Sequence, residues 1–351
     1  MVLFLVNFFH WCIYVAEGTS LMLNTIVIYL ASTETTKDLK VCKAILLLYA
    51  HLQLQEYKNL LILNGIVDYT CTLIGVWNHE NMEITQGVWV HMFGWPANMF
   101  PKSWHYVFVG AYSMKLAFGI IALPIQFAYR WFLLCKKKKL TVPQLIGLFF
   151  FTFIASCHWW FMFGFSFYVS DYKYTDHTFL MSNPFIFNDE NPHPTIVIGE
   201  LNSLPMYELI ISTALVGNVL ICFMIAYFTY DTIRKLEEMK VHMAPRTRKL
   251  QSQMNRTLFA QTVSVFATAL IPLLVLVFMM LSAIEIHGMG TCVNMILSWI
   301  PVLNPLCTIA LVHRFRSRFL SGFLPWLRPS AVSNYESSNH FSKDNTPITI
   351  A

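Results

Sequence analysis

A few charged and amide side chains stand inside long apolar runs of this 351-residue sequence, and their spacing sets the chemistry open to it. Asp68 lies ten residues beyond Lys58, and Asn304 ten residues before Arg314. In helices rising 1.5 Å per residue, each is about 15 Å from a basic edge. Asn24 falls at a similar depth in its own apolar run. Polar groups in hydrocarbon cost at least ~2.5 kcal/mol when ionised and mark functional sites by default. The three are therefore expected to meet in a polar cluster that holds water or a sodium ion and rearranges as a switch. The plainer reading is a structural hydrogen-bonded knot.

Lys115 stands fifteen residues before Arg130, about 22 Å along the same helix. It is expected to face a ligand, pairing with an acidic guest or with Glu208, Glu285 or Glu17, the last being the poorer partner; the alternative is a side chain that snorkels to the surface. His158 and Trp159, with Trp160, Phe161 and Phe163, suit either the wall of an apolar pocket or an interfacial aromatic belt. Tyr129 and Arg130 close the same run as Lys115. A guanidinium with five donors at a membrane edge can be held at rest and then released to partner carbonyls, or it can simply set topology. Pro124 and Pro272 remove backbone donors near mid-run, and Pro272 is the expected helix pivot.

The elements that position these residues are seven apolar stretches. With 56% hydrophobic and 12% charged residues, against roughly 25% charged in a soluble domain, the chain needs lipid. The stretches are about 1–30, 57–77, 107–135, 142–168, 206–230, 257–284 and 292–312, each long enough to cross a core of ~30 Å. The first is read as an uncleaved anchor rather than a signal peptide, because nothing positive precedes it and it outlasts a signal h-region. Lys37, Lys40 and Lys43, then Lys136–Lys139, then Arg234, Lys235, Lys240, Arg246, Arg248 and Lys249, and finally Arg314, Arg316, Arg318 and Arg328 occupy alternate loops and the tail; the opposite loops hold Lys102 and Lys173. By the positive-inside rule the N-terminus is outside and the C-terminus cytoplasmic.

The expectation is an all-α seven-transmembrane helix bundle over residues 1–320, with a cytoplasmic tail over 321–351 that is polar and disordered from about 329. The sequon Asn255-Arg256-Thr257 falls on the cytoplasmic side and stays silent. The apolar segment Val41–Leu54 is too short to span, and reads as interfacial, as a forward extension of the second helix or as an insertion. The eight cysteines form no C-x-x-C pair, so neither a metal nor a disulfide framework is expected, and no cofactor is implied.

Phe127-Ala128-Tyr129-Arg130-Trp131 resembles the Phe-x-Tyr-Arg-Tyr signature of nematode serpentine chemoreceptors. Tyr57-Lys58-Asn59-Leu60-Leu61, Arg246-Thr247-Arg248-Lys249-Leu250-Gln251, Leu258-Phe259-Ala260-Gln261-Thr262 and Asn304-Pro305-Leu306-Cys307-Thr308-Ile309 follow in the order of that pattern. The chain is identified as a member of the Str superfamily of G-protein-coupled receptors, of the Str or delta class, over about Met1 to Leu320. The resemblance implies an odorant or pheromone as small-molecule ligand, a heterotrimeric G protein as partner, a sensory-neuron plasma membrane and no nucleic acid. Three departures stand out. The loop before the second helix is longer than the pattern by roughly a dozen residues, Phe315 replaces a tyrosine, and no cysteine pair ties the second outer loop to the third helix, which leaves that loop looser.

Against this, a seven-helix ligand-gated channel or transporter is the alternative, although seven spans do not divide into two repeats. An enzyme is not expected: His79-Glu80-Asn81-Met82-Glu83 ends in Glu where a zinc protease needs His, and no nucleophile elbow or phosphate loop occurs.

Overall fold

The computed structural model describes residues 2–37, 45–136, 138, 140–173, 178–187, 192–200, 205–239, 252, 256, 259–264, 266–282 and 284–323, with 34–37, 45–57, 205–215, 236, 239, 280, 281, 313, 314, 322 and 323 as backbone alone. The sequon asparagine, the tail from 324 and most of the third basic loop lie outside these residues.

Among the described residues seven helices are long and apolar enough to cross a membrane. They are α1 (Val2–Lys37), α2 (Ile45–Asn78), α3 (Lys102–Leu134), α4 (Val142–Asp171), α5 (Pro205–Met239), a sixth span over Phe259–Met279 that ends in α6 (Ile271–Ser282), and a seventh over Met289–Leu311 built from α7 (Met289–Ser298) and α8 (Ile300–Leu311). Pro301 opens α8, and its missing N–H accompanies the change of path at Trp299. A final helix, α9 (His313–Phe323), tucks Phe315 into the core, so phenylalanine at this position serves packing. Residues 45–54 continue α2 as helical backbone, which selects the forward extension for that part of the Val41–Leu54 segment.

Pro272 sits in a distinctive place. A π-turn, Phe266–Leu270, immediately precedes α6. Proline withholds a donor from the preceding turn, and the wider ring absorbs the misfit. The sixth span is therefore divided at the expected pivot.

The bundle also carries a three-stranded antiparallel sheet at the end where α1 begins: β1 (Glu80–Thr85), β2 (Val88–Phe93) and β3 (Thr195–Glu200), in the order β1-β2-β3. Gln86 and Gly87 turn the hairpin with φ of 51° and 77°, the doubly positive geometry of a type I′ turn, which glycine adopts without strain. Alternation then sorts the faces. Met82, Ile84, Trp89, Phe93 and Val197 face the helices and join their core. Val88, Val90, Met92, Ile196 and Ile198 face the other way, beneath Leu180 and Ile186. Both faces of the sheet are buried.

The described part of the second outer loop is thus held without a disulfide, contrary to the looseness expected from the absence of a cysteine pair. β3 pairs along the whole of β2. Asp171, at the end of α4, accepts from the Ile198 amide at 3.1 Å and from the Tyr106 hydroxyl at 2.8 Å, and meets Lys102 at 2.7 Å. All seven described cysteines are free.

Candidate functional site

The free edge of β1 meets the start of the seventh span. Asn294 Nδ2 donates to the Glu80 carbonyl at 2.8 Å, and Asn294 Oδ1 accepts from the Tyr112 hydroxyl of α3 at 2.6 Å. Glu83 is fully buried. Its carboxylate accepts from the Thr291 amide at 2.9 Å, the Thr291 hydroxyl at 2.8 Å and the Gly288 amide at 3.3 Å. These are orphan donors of the α7 N-terminus, where negative charge is favoured. On the other side His79 stacks on Tyr14 of α1 at 4.6 Å and shares a 2.8 Å hydrogen bond with its hydroxyl. Burial, with His10 nearby, pushes the His79 imidazole down to about 4. The sheet is in this way pinned to α1, α3 and α7.

Beneath it lies a cavity of about 180 Å³. Met82, Trp89 and His91 of the hairpin form its roof; α3 gives Tyr112, Ser113 and Ile120, α4 gives Trp159 and Phe163, α5 gives Asn218 and Ile221, and the sixth span gives Leu270, Leu273, Leu274 and Val277. The wall is nearly all apolar. Inside the roof, the Glu80 carboxylate abuts His91 Nδ1. Trp89 and His91 stack with ring centroids 5.6 Å apart.

The ligand candidates from the sequence divide around this cavity. Trp159 lines it, whereas His158 on the same helix is exposed and does not. Lys115 lines a smaller cavity of about 50 Å³ with Glu17, Asp68 and Thr72. Its ammonium lies over the Tyr112 ring at 4.5 Å. Glu17, expected to be its poorer partner, is the carboxylate set beside it: Glu17 Oε1 and Lys115 Nζ stand 2.8 and 3.0 Å from where a Gly75 side chain would begin. The peripheral first helix reaches the site because Gly75 leaves that space on α2. Glu285 is exposed, 3.5 Å from His287, and Glu208 lies on α5 with its side chain outside the described residues.

The mid-bundle cluster forms in modified shape. Asn304 Nδ2 donates to both Asp68 carboxylate oxygens, at 3.3 and 3.2 Å. Asn24 does not bond Asp68; it donates to the Pro301 carbonyl at 3.0 Å and to the Ser20 carbonyl at 3.0 Å. Ser20 and Thr72 share a 2.7 Å hydrogen bond, and Thr72 in turn donates to the Asp68 carbonyl at 2.7 Å. Asn24 and Asp68 face opposite ends of that relay because one α-helical turn separates Ser20 from Asn24 and Asp68 from Thr72. Gln261 extends the network to the sixth span by donating to the Asn304 carbonyl at 3.2 Å and to Thr308 at 3.1 Å. Asn304 Oδ1 and Gln261 Oε1 are buried without hydrogen-bond partners among the described residues.

At the end opposite the sheet, Tyr129 and Arg130 are both buried, with Arg130 only 3% exposed. The guanidinium is enclosed by the bundle at this end. Next to it Trp131 Nε1 donates to Asp231 Oδ2 of α5 at 2.6 Å. Among the described residues no group of three or more His, Cys, Asp or Glu is arranged to hold a metal.

Ser20, Thr72 and Gln261 were missed because neutral polar residues within apolar runs are common and bond their own helix as readily as a neighbour. Glu80 and Glu83 were read only as parts of a failed zinc motif, and His91 was not singled out. Their signal was the Gln86-Gly87 turn leading into Val88–Phe93, a six-residue segment rich in β-formers.

The fold is that of the crystal structure of squid rhodopsin, matched with a TM-score of 0.57 over 97% of this chain and 92% of that one, at 12% identity. Among curated proteins none matches. The family model for the serpentine type 7TM GPCR chemoreceptor Str matches residues 9–320. A bundle of seven membrane-spanning helices with a roofed apolar cavity at one end and a buried Tyr-Arg pair at the other agrees with that match, and the chain belongs to the Str family of serpentine seven-transmembrane chemoreceptors.

Proposed function

We propose that the protein binds a small odorant- or pheromone-like molecule in the cavity under the sheet and activates a heterotrimeric G protein at the Arg130 end. The loop charges orient the sheet outward and the tail into the cytoplasm. On this reading residues 1–320 are the receptor domain and 321–351 its tail, and the site of action is the plasma membrane, with sensory cilia suggested by family membership.

One observation carries the reading. The cavity wall includes Leu270, Leu273, Leu274 and Val277, which run from the last residue of the π-turn to the turn beyond Pro272. A guest that fills the cavity bears on the sixth span at its break. The inner half of that span bonds Asn304 through Gln261, and Asn304 bonds Asp68. Two arrangements of this chain, biased by a guest, are what a population shift requires.

The test uses the full chain in membranes, with an N-terminal epitope for surface exposure and nucleotide exchange on an added G protein as readout. Arg130→Ala is expected to lower ligand-stimulated exchange at least tenfold while ligand binding persists. Asp68→Leu, offered as a switch variant, is expected to reach the surface and bind but not to stimulate exchange; loss of surface delivery together with signalling would make the cluster merely structural. Ligand-gated current in excised patches without nucleotide would replace the receptor reading by a channel.

A further inference from the structure

The cavity roof holds polar atoms that neither the fold nor the proposed signalling route uses. His91 is 1% exposed, and its Nε2 has no hydrogen-bond partner among the described residues; neither has Trp89 Nε1. Both residues lie on β2 and both line the cavity. Buried polar groups are almost always satisfied, and exceptions call for an explanation. An indole N–H can only donate. The orphan at Trp89 therefore asks for an acceptor, whereas His91, whose Nδ1–H faces the Glu80 carboxylate, turns an accepting Nε2 to the cavity beside it.

Charge narrows the guest further. The lining of this cavity contains no Lys or Arg among the described residues. Lys115, which the sequence suggested for an acidic ligand, opens on the smaller cavity and faces Glu17. Glu80 places a carboxylate against the far nitrogen of His91. An anionic guest would meet that carboxylate with no mobile cation on the wall to offset it. Size gives the scale: an apolar cavity of about 150 Å³ accepts benzene, and this one, at about 180 Å³, suits a slightly larger molecule.

We propose that Trp89 and His91, the latter backed by Glu80, form the polar recognition point of the cavity, and that its ligands are neutral, compact molecules of about substituted-benzene size carrying one hydroxyl, which accepts from Trp89 and donates to His91. This rests on the reading of the cavity as the ligand site. The sheet, rather than the helices, then supplies ligand polarity selection, while the helices supply shape.

The experiment measures equilibrium binding to the full chain in lipid nanodiscs without G protein. Three probes of similar size are compared: 1-phenylethanol, which carries the hydroxyl, ethylbenzene, which lacks it, and benzoate, which is charged. Leaving the buried Trp89 donor and His91 acceptor unpaired is expected to cost ethylbenzene about tenfold to a hundredfold in affinity relative to 1-phenylethanol, and benzoate is expected to bind more weakly than either. In Trp89→Phe the preference for 1-phenylethanol should shrink by about tenfold. Because removing one member of a buried pair is destabilising, the second variant changes both, Glu80→Leu with His91→Phe, and it should also shrink the preference while retaining ethylbenzene. Equal binding of 1-phenylethanol and ethylbenzene to the unmodified chain, strongest binding of benzoate, a preference that survives both variants undiminished, or no saturable binding of any probe would each overturn the proposal. Nucleotide exchange is measured separately: selective binding with no exchange on any G protein would defeat the receptor function and leave the recognition point standing.

Discussion

Leucine at Gly110 should prevent the bundle from assembling, whereas leucine at Gly147 should be tolerated. Helices in lipid gain nothing from a hydrophobic drive toward one another and associate by close packing, with small residues at the closest approach. Gly110 of α3 and Gly164 of α4 occupy that approach. A β-carbon on Gly110 would stand 2.5 Å from the Trp160 carbonyl oxygen and 2.3 Å from its indole ring, and one on Gly164 would stand 2.7 Å from the Tyr106 carbonyl oxygen. Two of these obstacles are backbone, so a rotamer change does not relieve them. Nearby, the Trp160 indole donates to the Val107 carbonyl at 3.0 Å, and parting the helices breaks that bond as well. Overpacking of a core typically costs ~1–3 kcal/mol or more, a large share of a total of about 5–15 kcal/mol. Gly147 is exposed and has nothing within 4 Å of its added β-carbon. Surface delivery of epitope-tagged chains and the elution profile in detergent are the measurements. Gly110→Leu at normal surface levels would mean that the α3–α4 contact is looser than described.

The contrast between these glycines shows why part of the structure could be read from the sequence and part could not. Span number and approximate bounds followed from length and apolarity, properties each segment carries alone. Burial of Tyr129-Arg130 and the π-turn before Pro272 depend on what packs beside them. Asp68 and Asn304 were legible because polar side chains at equal depth have few partners in hydrocarbon. Asn24 was placed at the right depth, yet it bonds Ser20 and Pro301, since depth says nothing of which way a helix is turned. The sheet was hidden by another cause. Its three strands come from two loops about a hundred residues apart, and β3 has no meaning until β2 is beside it. The Gln86-Gly87 turn could have disclosed the hairpin; a search for charge and catalytic motifs passed over it and read Glu80 and Glu83 as parts of a missing metal site.

Replacing Glu83 should loosen the sheet from the seventh span and remove one pH dependence of stability. Its carboxylate accepts three hydrogen bonds from Gly288 and Thr291. Leucine there would leave the Gly288 and Thr291 amides buried without acceptors, at a cost of about 1.5–3 kcal/mol for a charge-assisted set. Burial pushes the Glu83 carboxyl up to about 7 from its ordinary 4.5, although the three donors pull the other way. With the folded value raised, the group's contribution is fully present below the unfolded value and is lost as pH rises through about 7. Between about pH 6.5 and about pH 8 this amounts to a loss on the order of 1 kcal/mol. His79 works in the opposite sense on the acid side: its imidazole is depressed to about 4, so stability falls as pH drops from the ordinary histidine range toward that value. Confining the comparison to the neutral-to-alkaline window keeps the two apart. Thermal unfolding in detergent should therefore show the unmodified chain losing stability across this window, Glu83→Gln flat across it, and Glu83→Leu less stable throughout. Glutamine keeps an oxygen for Thr291 but cannot ionise, so a Glu83→Gln variant that retains the full alkaline loss would assign the titration to another group. Because the same hairpin roofs the cavity through Trp89 and His91, a looser Glu83 anchor should also speed exchange of a bound guest, the kinetic trace expected when an anchored strand forms one wall of a binding site.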